Sequence, residues 1–297
     1  MRGIVPNVGK ERVEGAVVEA AANRSLPIAV DRSVPIPVLK AVVRDPDILA
    51  RAVLVKDYDS GLILLEKNRN QLLPIASLTK LMTAIVAKKA LPFNEVVEIE
   101  LLDLKTAPYR VDFAVGEKVT VKNLLEAMLV SSANDAAMAL ARIAGGGNVQ
   151  KFVSEMNAEA RRLGMRQTNF ANPVGFDDPG HFSTAVDLAK LVEEFLQYPE
   201  LLEIVGKKSV LVQAVNGRGK HFLTTTNKLM ISHEEIVGLK TGYTEEARGN
   251  LIIFVDLERS GEGRTGKYYS IILGSEDRER EMKTVMNWIK DNYQWPK

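Results

Sequence analysis

Three short groups of residues carry side chains able to do nucleophilic chemistry: Ser77-Leu78-Thr79-Lys80, Ser132-Ala133-Asn134 and Lys240-Thr241-Gly242. Each pattern occurs once, in that order. A serine hydroxyl is a poor nucleophile at neutral pH and needs a neighbouring base to take its proton. Residues three apart share a helix face, so the Lys80 amine can reach the Ser77 hydroxyl. An amine becomes a base when its pKa falls from about 10.4, and a desolvated, positively charged site lowers it. A helix N-terminus supplies partial positive charge that favours a developing oxyanion. On this reading Ser77 is the nucleophile and Lys80 its base. Taken alone, Ser-x-x-Lys reads better as a helix cap followed by a solvated lysine, because chance supplies it about once in a chain of this length. The two downstream groups decide between those readings.

The elements that must position these groups follow from periodicity. Leu78, Leu81, Met82, Ile85 and Val86 continue past Ser77 at helical spacing. Residues 52–56 and 62–66 are strand candidates around the turn cluster Asp57-Tyr58-Asp59-Ser60-Gly61, a hairpin feeding the Ser77 helix. Residues 91–190 read as mostly helical, with helices over 120–129, 135–143 and 149–163, a loop over 169–181 and a helix from 183 to about 197. Gly145-Gly146-Gly147 stops one of them; no Lys-Ser/Thr follows, so it is a helix terminus and not a phosphate loop. Ser132 and Asn134 then fall between two helices. The period switches to strands over 209–215, 221–226, 236–240, 250–257 and 267–273. Lys240 and Thr241 fall where one of these strands ends and a turn opens. A helix over 276–292 closes the chain, with Met282, Val285, Met286 and Ile289 on one face. Strands from both ends form one sheet around a helical insertion.

Composition bounds the rest. The 297 residues suffice for one large domain or two modest ones, and 46% apolar with 26% charged residues describes a globular chain. A net charge of +1 offers no electrostatic footprint for nucleic acid. The absence of cysteine excludes disulfides and thiolate metal sites and suits an exported bacterial protein. His181, His221 and His233 are scattered without metal spacing, so neither metal nor other cofactor is expected. No stretch is apolar enough to span a membrane. Residues 1–50, broken by Pro27, Pro35, Pro37 and Pro46, read as a short helix near 11–22 and an extended lead-in, without the apolar core of a signal peptide.

The ordered triple is the motif set of penicillin-binding proteins and class A β-lactamases. With the hairpin before Ser77, the lead-in Val115-Gly116-Glu117-Lys118-Val119-Thr120 and the stretch 175–185, the chain resembles the serine D-alanyl-D-alanine carboxypeptidases, the low-molecular-weight penicillin-binding proteins, over roughly residues 50–291. The resemblance implies an α/β (α+β) fold of the β-lactamase-like, penicillin-recognising serine transferase class: an antiparallel sheet flanked by helices, with a helical subdomain at about 80–190. It implies a catalytic domain over 51–297 and leaves 1–50 as an N-terminal extension.

The same resemblance assigns roles. Ser77 attacks the penultimate D-Ala carbonyl, Lys80 activates it and Ser132 relays the proton to the leaving amine. Asn134 orients substrate and bonds Lys80. Lys240, expected to stay charged, and Thr241 meet the substrate carboxylate, while Gly242 lets the peptide lie along the strand edge. The backbone N–H groups of Ser77 and Tyr243 form the oxyanion hole. The implied partners are a peptidoglycan pentapeptide ending in D-Ala-D-Ala and, as inhibitors, β-lactams. The implied place is the cell envelope or periplasm, with the export signal outside this chain. Asp177, Asp178 and His181 read as loop structure.

Ala133 stands where many family members carry glycine. The chain ends at Trp295-Pro296-Lys297, about where the catalytic domain should end, so the C-terminal anchor of some relatives is not expected here. Two rivals stand beside the carboxypeptidase. A β-lactamase would need a carboxylate to direct water, and Gln167-Thr168-Asn169-Phe170-Ala171-Asn172 has none. A non-catalytic peptidoglycan-binding or β-lactam-sensing domain would keep the nucleophile without turnover. Endopeptidase action on cross-linked peptides is a third possibility within the same chemistry.

Overall fold

Alternating apolar residues in the strands are what set the layers. In a computed structural model describing residues 35–41, 44–106 and 108–296, Val38–Leu39 (β1), Ala52–Asp57 (β2) and Ile63–Lys67 (β3) come first. A 3₁₀ turn, Ala76–Thr79, runs into helix α1 (Lys80–Ala90). Strands β4 (Val96–Glu98) and β5 (Lys118–Thr120) bracket an irregular stretch. Helices α2 (Val121–Val130), α3 (Asn134–Ala144), α4 (Val149–Arg162), α5 (Ala185–Phe195) and α6 (Pro199–Val205) follow. The chain continues through β6 (Ser209–Gln213), β7 (Lys220–Thr224), α7 (Leu229–Ser232), β8 (Ile236–Thr244), β9 (Arg248–Asp256), β10 (Lys267–Ser275), α8 (Arg278–Asn292) and β11 (Tyr293–Gln294).

The central sheet is antiparallel, in the order β3-β2-β10-β9-β8, so strands from both ends of the chain join as expected. Its inner strands are buried on both faces. Ala52, Leu54, Ile252, Phe254, Tyr269 and Ile271 face the large helical layer. Val53, Val55, Leu251, Ile253, Val255 and Ile272, their immediate neighbours, face α8 through Met282, Val285, Met286 and Ile289. Sharing residues between two cores explains the near-continuous apolar run 251–255.

Three features differ from the sequence reading. Strands β6 and β7 pair only with each other, as a separate hairpin and not in the main sheet. The stretch from β4 to β5 is largely irregular where helix was expected. It is tied to α3 by Arg142, whose guanidinium grips Asp103 at 2.9 and 2.8 Å and donates to the Glu98 carbonyl at 2.8 Å. Strand β8 runs on to Thr244, so Lys240, Thr241 and Gly242 lie within the strand and not at its end, where a turn was expected to open. The expected helix near 11–22 lies outside the described residues. β1 pairs with β11, joining the described part of the N-terminal stretch to the C-terminal end. Among the described residues no helix is long and apolar enough to cross a membrane.

Two contacts fix the 3₁₀ turn against the sheet. Asn250 on β9, fully buried, donates to the Pro74 carbonyl at 3.1 Å and accepts from the Gly274 N–H at 2.8 Å. β8 is the edge strand, and its Gly242 allows the turn to approach closely: a Cβ there would lie 3.1 Å from both the Ile75 oxygen and the Ser77 nitrogen.

Candidate active site

Lys80 begins α1, and its side chain is wholly buried, turned back toward the preceding turn. Its Nζ lies 2.8 Å from the Ser77 Oγ, 2.7 Å from the Asn134 Oδ1 and 2.9 Å from the Val174 carbonyl. Ser77 therefore does not cap the helix: the turn has no side-chain cap at its start. Burial first, then the charge of Lys240, hold the Lys80 amine well below the ordinary ammonium range, against a smaller opposing effect of Asp135.

Asn134 starts α3. Its Oδ1 faces Lys80 while its Nδ2 donates to the Pro108 carbonyl at 2.6 Å and its backbone N–H to the Tyr109 carbonyl at 2.8 Å. The next residue, Asp135, is fully buried and accepts from the N–H groups of Val111, Asp112 and Ala136. Burial raises its pKa, while those donors oppose the rise. Asp135 pins the 108–112 strap across the site. An acidic residue directly after the second motif was the available signal, and the sequence reading gave it no role. Ser132, between α2 and α3, is buried and holds a left-handed backbone at φ 64°, a conformation uncommon without glycine.

On β8, Lys240 is buried and donates to the Thr241 carbonyl at 3.0 Å; Thr241 Oγ1 bonds Thr226 Oγ1 at 2.6 Å. Burial, then Arg278, lower the Lys240 pKa to about 7. The sequence reading expected Lys240 to stay charged; burial and the neighbouring Arg278 both act against that charge. Arg278, at the start of α8, donates to the Gly242 carbonyl at 2.8 Å. It lies far from the motifs in sequence, and no local signal marks it.

A cleft of about 350 Å³ opens beside Ser77, lined by Tyr109, Asn134, Phe176, Asp177, Tyr243 and Glu245 among others. Thr244 Oγ1 donates to Asp177 at 2.6 Å, tying the 172–178 loop to β8, and Tyr243 donates to Glu245 at 3.1 Å. His181 is a buried structural residue: its Nε2 lies 2.7 Å from Thr79 Oγ1 and its Nδ1 accepts from the Ala171 N–H. Among the described residues no three His, Asp or Glu side chains gather as metal ligands would.

A serine and a buried lysine of lowered pKa on one turn, an asparagine from the helical layer and a Lys-Thr-Gly edge strand form one constellation. The family model for D-alanyl-D-alanine carboxypeptidases matches residues 40–258. The chain belongs to this family. It is 33% identical over 207 residues to the D-alanyl-D-alanine carboxypeptidase DacF of Bacillus subtilis, covering 67% of this chain and 52% of DacF. To the D-alanyl-D-alanine carboxypeptidase DacD of Escherichia coli it is 30% identical over 264 residues, covering 84% of this chain and 65% of DacD. The chain thus spans between half and two thirds of these relatives' length. A D-alanyl-D-alanine carboxypeptidase structure from Mycobacterium tuberculosis superposes with a TM-score of 0.75 at 28% identity, covering 84% of this chain and 94% of that one. A penicillin-binding protein homologue from Mycobacterium tuberculosis and the Streptomyces K15 DD-transpeptidase superpose equally well, each with a TM-score of 0.75, so the fold is the penicillin-recognising α/β arrangement that the resemblance implied.

Proposed function

We propose that this chain is a serine D-Ala-D-Ala carboxypeptidase that removes the terminal D-Ala from peptidoglycan stem peptides through an acyl-enzyme on Ser77. One observation carries the reading. Lys80 Nζ has three partners, and two of them, the Asn134 Oδ1 and the Val174 carbonyl, only accept. A neutral amine gives its two hydrogens to those oxygens, leaving its lone pair toward the third partner, the Ser77 hydroxyl. That is the arrangement a general base needs.

The reaction follows. Ser77 Oγ attacks the penultimate D-Ala carbonyl as its proton passes to Lys80. The oxyanion meets the Ser77 and Tyr243 N–H groups. The C–N bond breaks as the departing D-Ala amine takes a proton by way of Ser132, and water later hydrolyses the ester. Lys240 and Thr241 hold the terminal carboxylate, which restores the full charge of Lys240. Gly242 leaves the edge of β8 open, so the peptide adds antiparallel to it and its earlier residues run toward Tyr243 and Thr244. Asn134 orients the substrate as well as Lys80. β-Lactams acylate the same serine. The site of action is the cell envelope, where peptidoglycan lies. We read the catalytic unit as 51–297 with 1–50 as an extension; the β1–β11 pairing argues for extending the unit back to Val38.

The test is product analysis with a muropeptide ending in D-Ala-D-Ala. Free D-Ala from the wild type and none from Ser77→Ala supports the carboxypeptidase. A lasting penicillin adduct without peptide turnover would replace it with a sensor, and cleavage of cross-links alone with an endopeptidase.

A further inference from the structure

The carbonyl of Ala76 and the N–H of Ser77 belong to one peptide. A trans peptide is planar with the two groups pointing opposite ways, so whatever grips the carbonyl also aims the N–H. Ala76 has φ 47°, a left-handed conformation that residues bearing a Cβ avoid. Its carbonyl accepts from the Thr79 hydroxyl at 2.8 Å. That hydroxyl in turn lies 2.7 Å from His181 Nε2.

The direction of this chain of bonds is determined by its far end. The Ala171 N–H donates to His181 Nδ1 at 3.2 Å, so Nδ1 carries no proton. Nε2 is then the N–H, Thr79 Oγ1 accepts from it, and the threonine proton is committed to the Ala76 carbonyl. Thr79 and His181 are both buried, so water does not compete for these bonds. Two glycines bound the same peptide: a Cβ on Gly175 would overlap the Ala76 carbonyl, and one on Gly242 would crowd the Ala76 Cβ at 3.1 Å.

We propose that Thr79 and His181 are positioning residues whose relay, from the Ala171 N–H through His181 and Thr79 to the Ala76 carbonyl, aims the Ser77 N–H at the oxyanion. The proposal rests on the acylation reading above, in which that N–H is one of two oxyanion donors. The relay acts through the peptide plane, so losing it weakens transition-state binding and leaves ground-state binding in place.

The test separates kcat from KM in four variants, read by D-Ala release and by the rate at which fluorescent penicillin acylates Ser77. Thr79→Val, nearly isosteric, should lower kcat and the acylation rate about ten- to hundredfold with KM moving less than about twofold. Thr79→Ser, which keeps the hydroxyl, should stay within about threefold of wild type. His181→Gln can accept from Ala171 and donate to Thr79, and should retain more activity than His181→Phe, which can do neither. Wild-type acylation by Thr79→Val, or a fall in Thr79→Ser as deep as in Thr79→Val, would overturn the proposal. If Thr79→Val does not fold, the histidine pair decides it: equal rates in Gln and Phe overturn it. A wild type that is acylated but releases no D-Ala would sink the carboxypeptidase reading alone, leaving the relay to stand or fall on the acylation rates. A wild type never acylated at Ser77 overturns both.

Discussion

Gly175 lies flat against the peptide that joins Ala76 to Ser77: a Cβ at this position would overlap the Ala76 carbonyl and come within 2.9 Å of the Ser77 nitrogen. Its φ of 91° is also in the region that favours glycine. Gly175→Ala should therefore cost on the order of 2–4 kcal/mol of stability and displace the nucleophile. Denaturant unfolding and penicillin acylation measure the two effects. An Ala variant as stable and as reactive as wild type would mean that the loop moves away freely.

On the proposed mechanism Lys80 and Lys240 have different duties. Lys80→Arg should abolish acylation, because guanidinium does not deprotonate in a protein and its fork does not fit a site made for one nitrogen. Lys240→Arg keeps a cation and should retain measurable D-Ala release with a raised KM. Near-wild-type acylation by Lys80→Arg would remove Lys80 as the base.

A pKa near 7 gives Lys240 a visible signature. Above that pH the free amine loses its charge, and with it the attraction for a carboxylate. The ratio of kcat/KM for a peptide with a free C-terminal carboxylate to that for its C-terminal ester should fall as pH rises through about 7. Taking the ratio cancels the titration of Lys80, common to both substrates. A ratio flat from pH 6 to about 9 would separate Lys240 from carboxylate binding.

Benzylpenicillin should leave a lasting mass adduct on the wild type and none on Ser77→Ala. The stretch 167–172 offers no carboxylate for water, and the two carboxylates lining the cleft accept from hydroxyls, Asp177 from Thr244 and Glu245 from Tyr243. Turnover at hundreds per second, on the order of a fast enzyme, would make this a β-lactamase, and loss of that turnover in Asp177→Asn or Glu245→Gln would identify the base.

His181 couples the site to acid stability. Burial lowers its pKa from 6.5 to about 4, the nearby Asp178 and Asp177 opposing that only in part. Between those values the unfolded chain binds a proton that the folded site refuses. Stability is therefore complete above pH 6.5 and declines as pH falls through the window, by about 3 kcal/mol at pH 4. His181→Gln should flatten this part of the stability profile in urea titrations at stepped pH. Parallel profiles for the two proteins would show that the imidazole is free to protonate in place.

Read alone, the sequence determined the chemistry and the layers, because both are written in local patterns. Ser77 and Lys80 stand one helical turn apart, and the short apolar run 251–255, mostly β-branched and aromatic and bounded by Asn250 and Asp256, reads as a buried strand regardless of its partners. Ser-x-Asn between helices was legible for the same reason, whereas Lys-Thr-Gly lies inside β8, which runs on to Thr244, and not at the strand end expected. What tertiary structure alone decided are the relationships between distant segments. Arg278 reaches Gly242 only because α8 begins beneath the edge of β8, and Val174 becomes a Lys80 partner only because a loop folds over α1. The pKa values of Lys80 and Lys240 depend on how completely water is excluded around them, a property of the packed molecule. The β6–β7 hairpin carries the alternation of a sheet strand, yet nothing in that alternation says which edge it will join. The left-handed turns at Ala76 and Ser132 have no glycine to announce them, since they are imposed by the contacts around them.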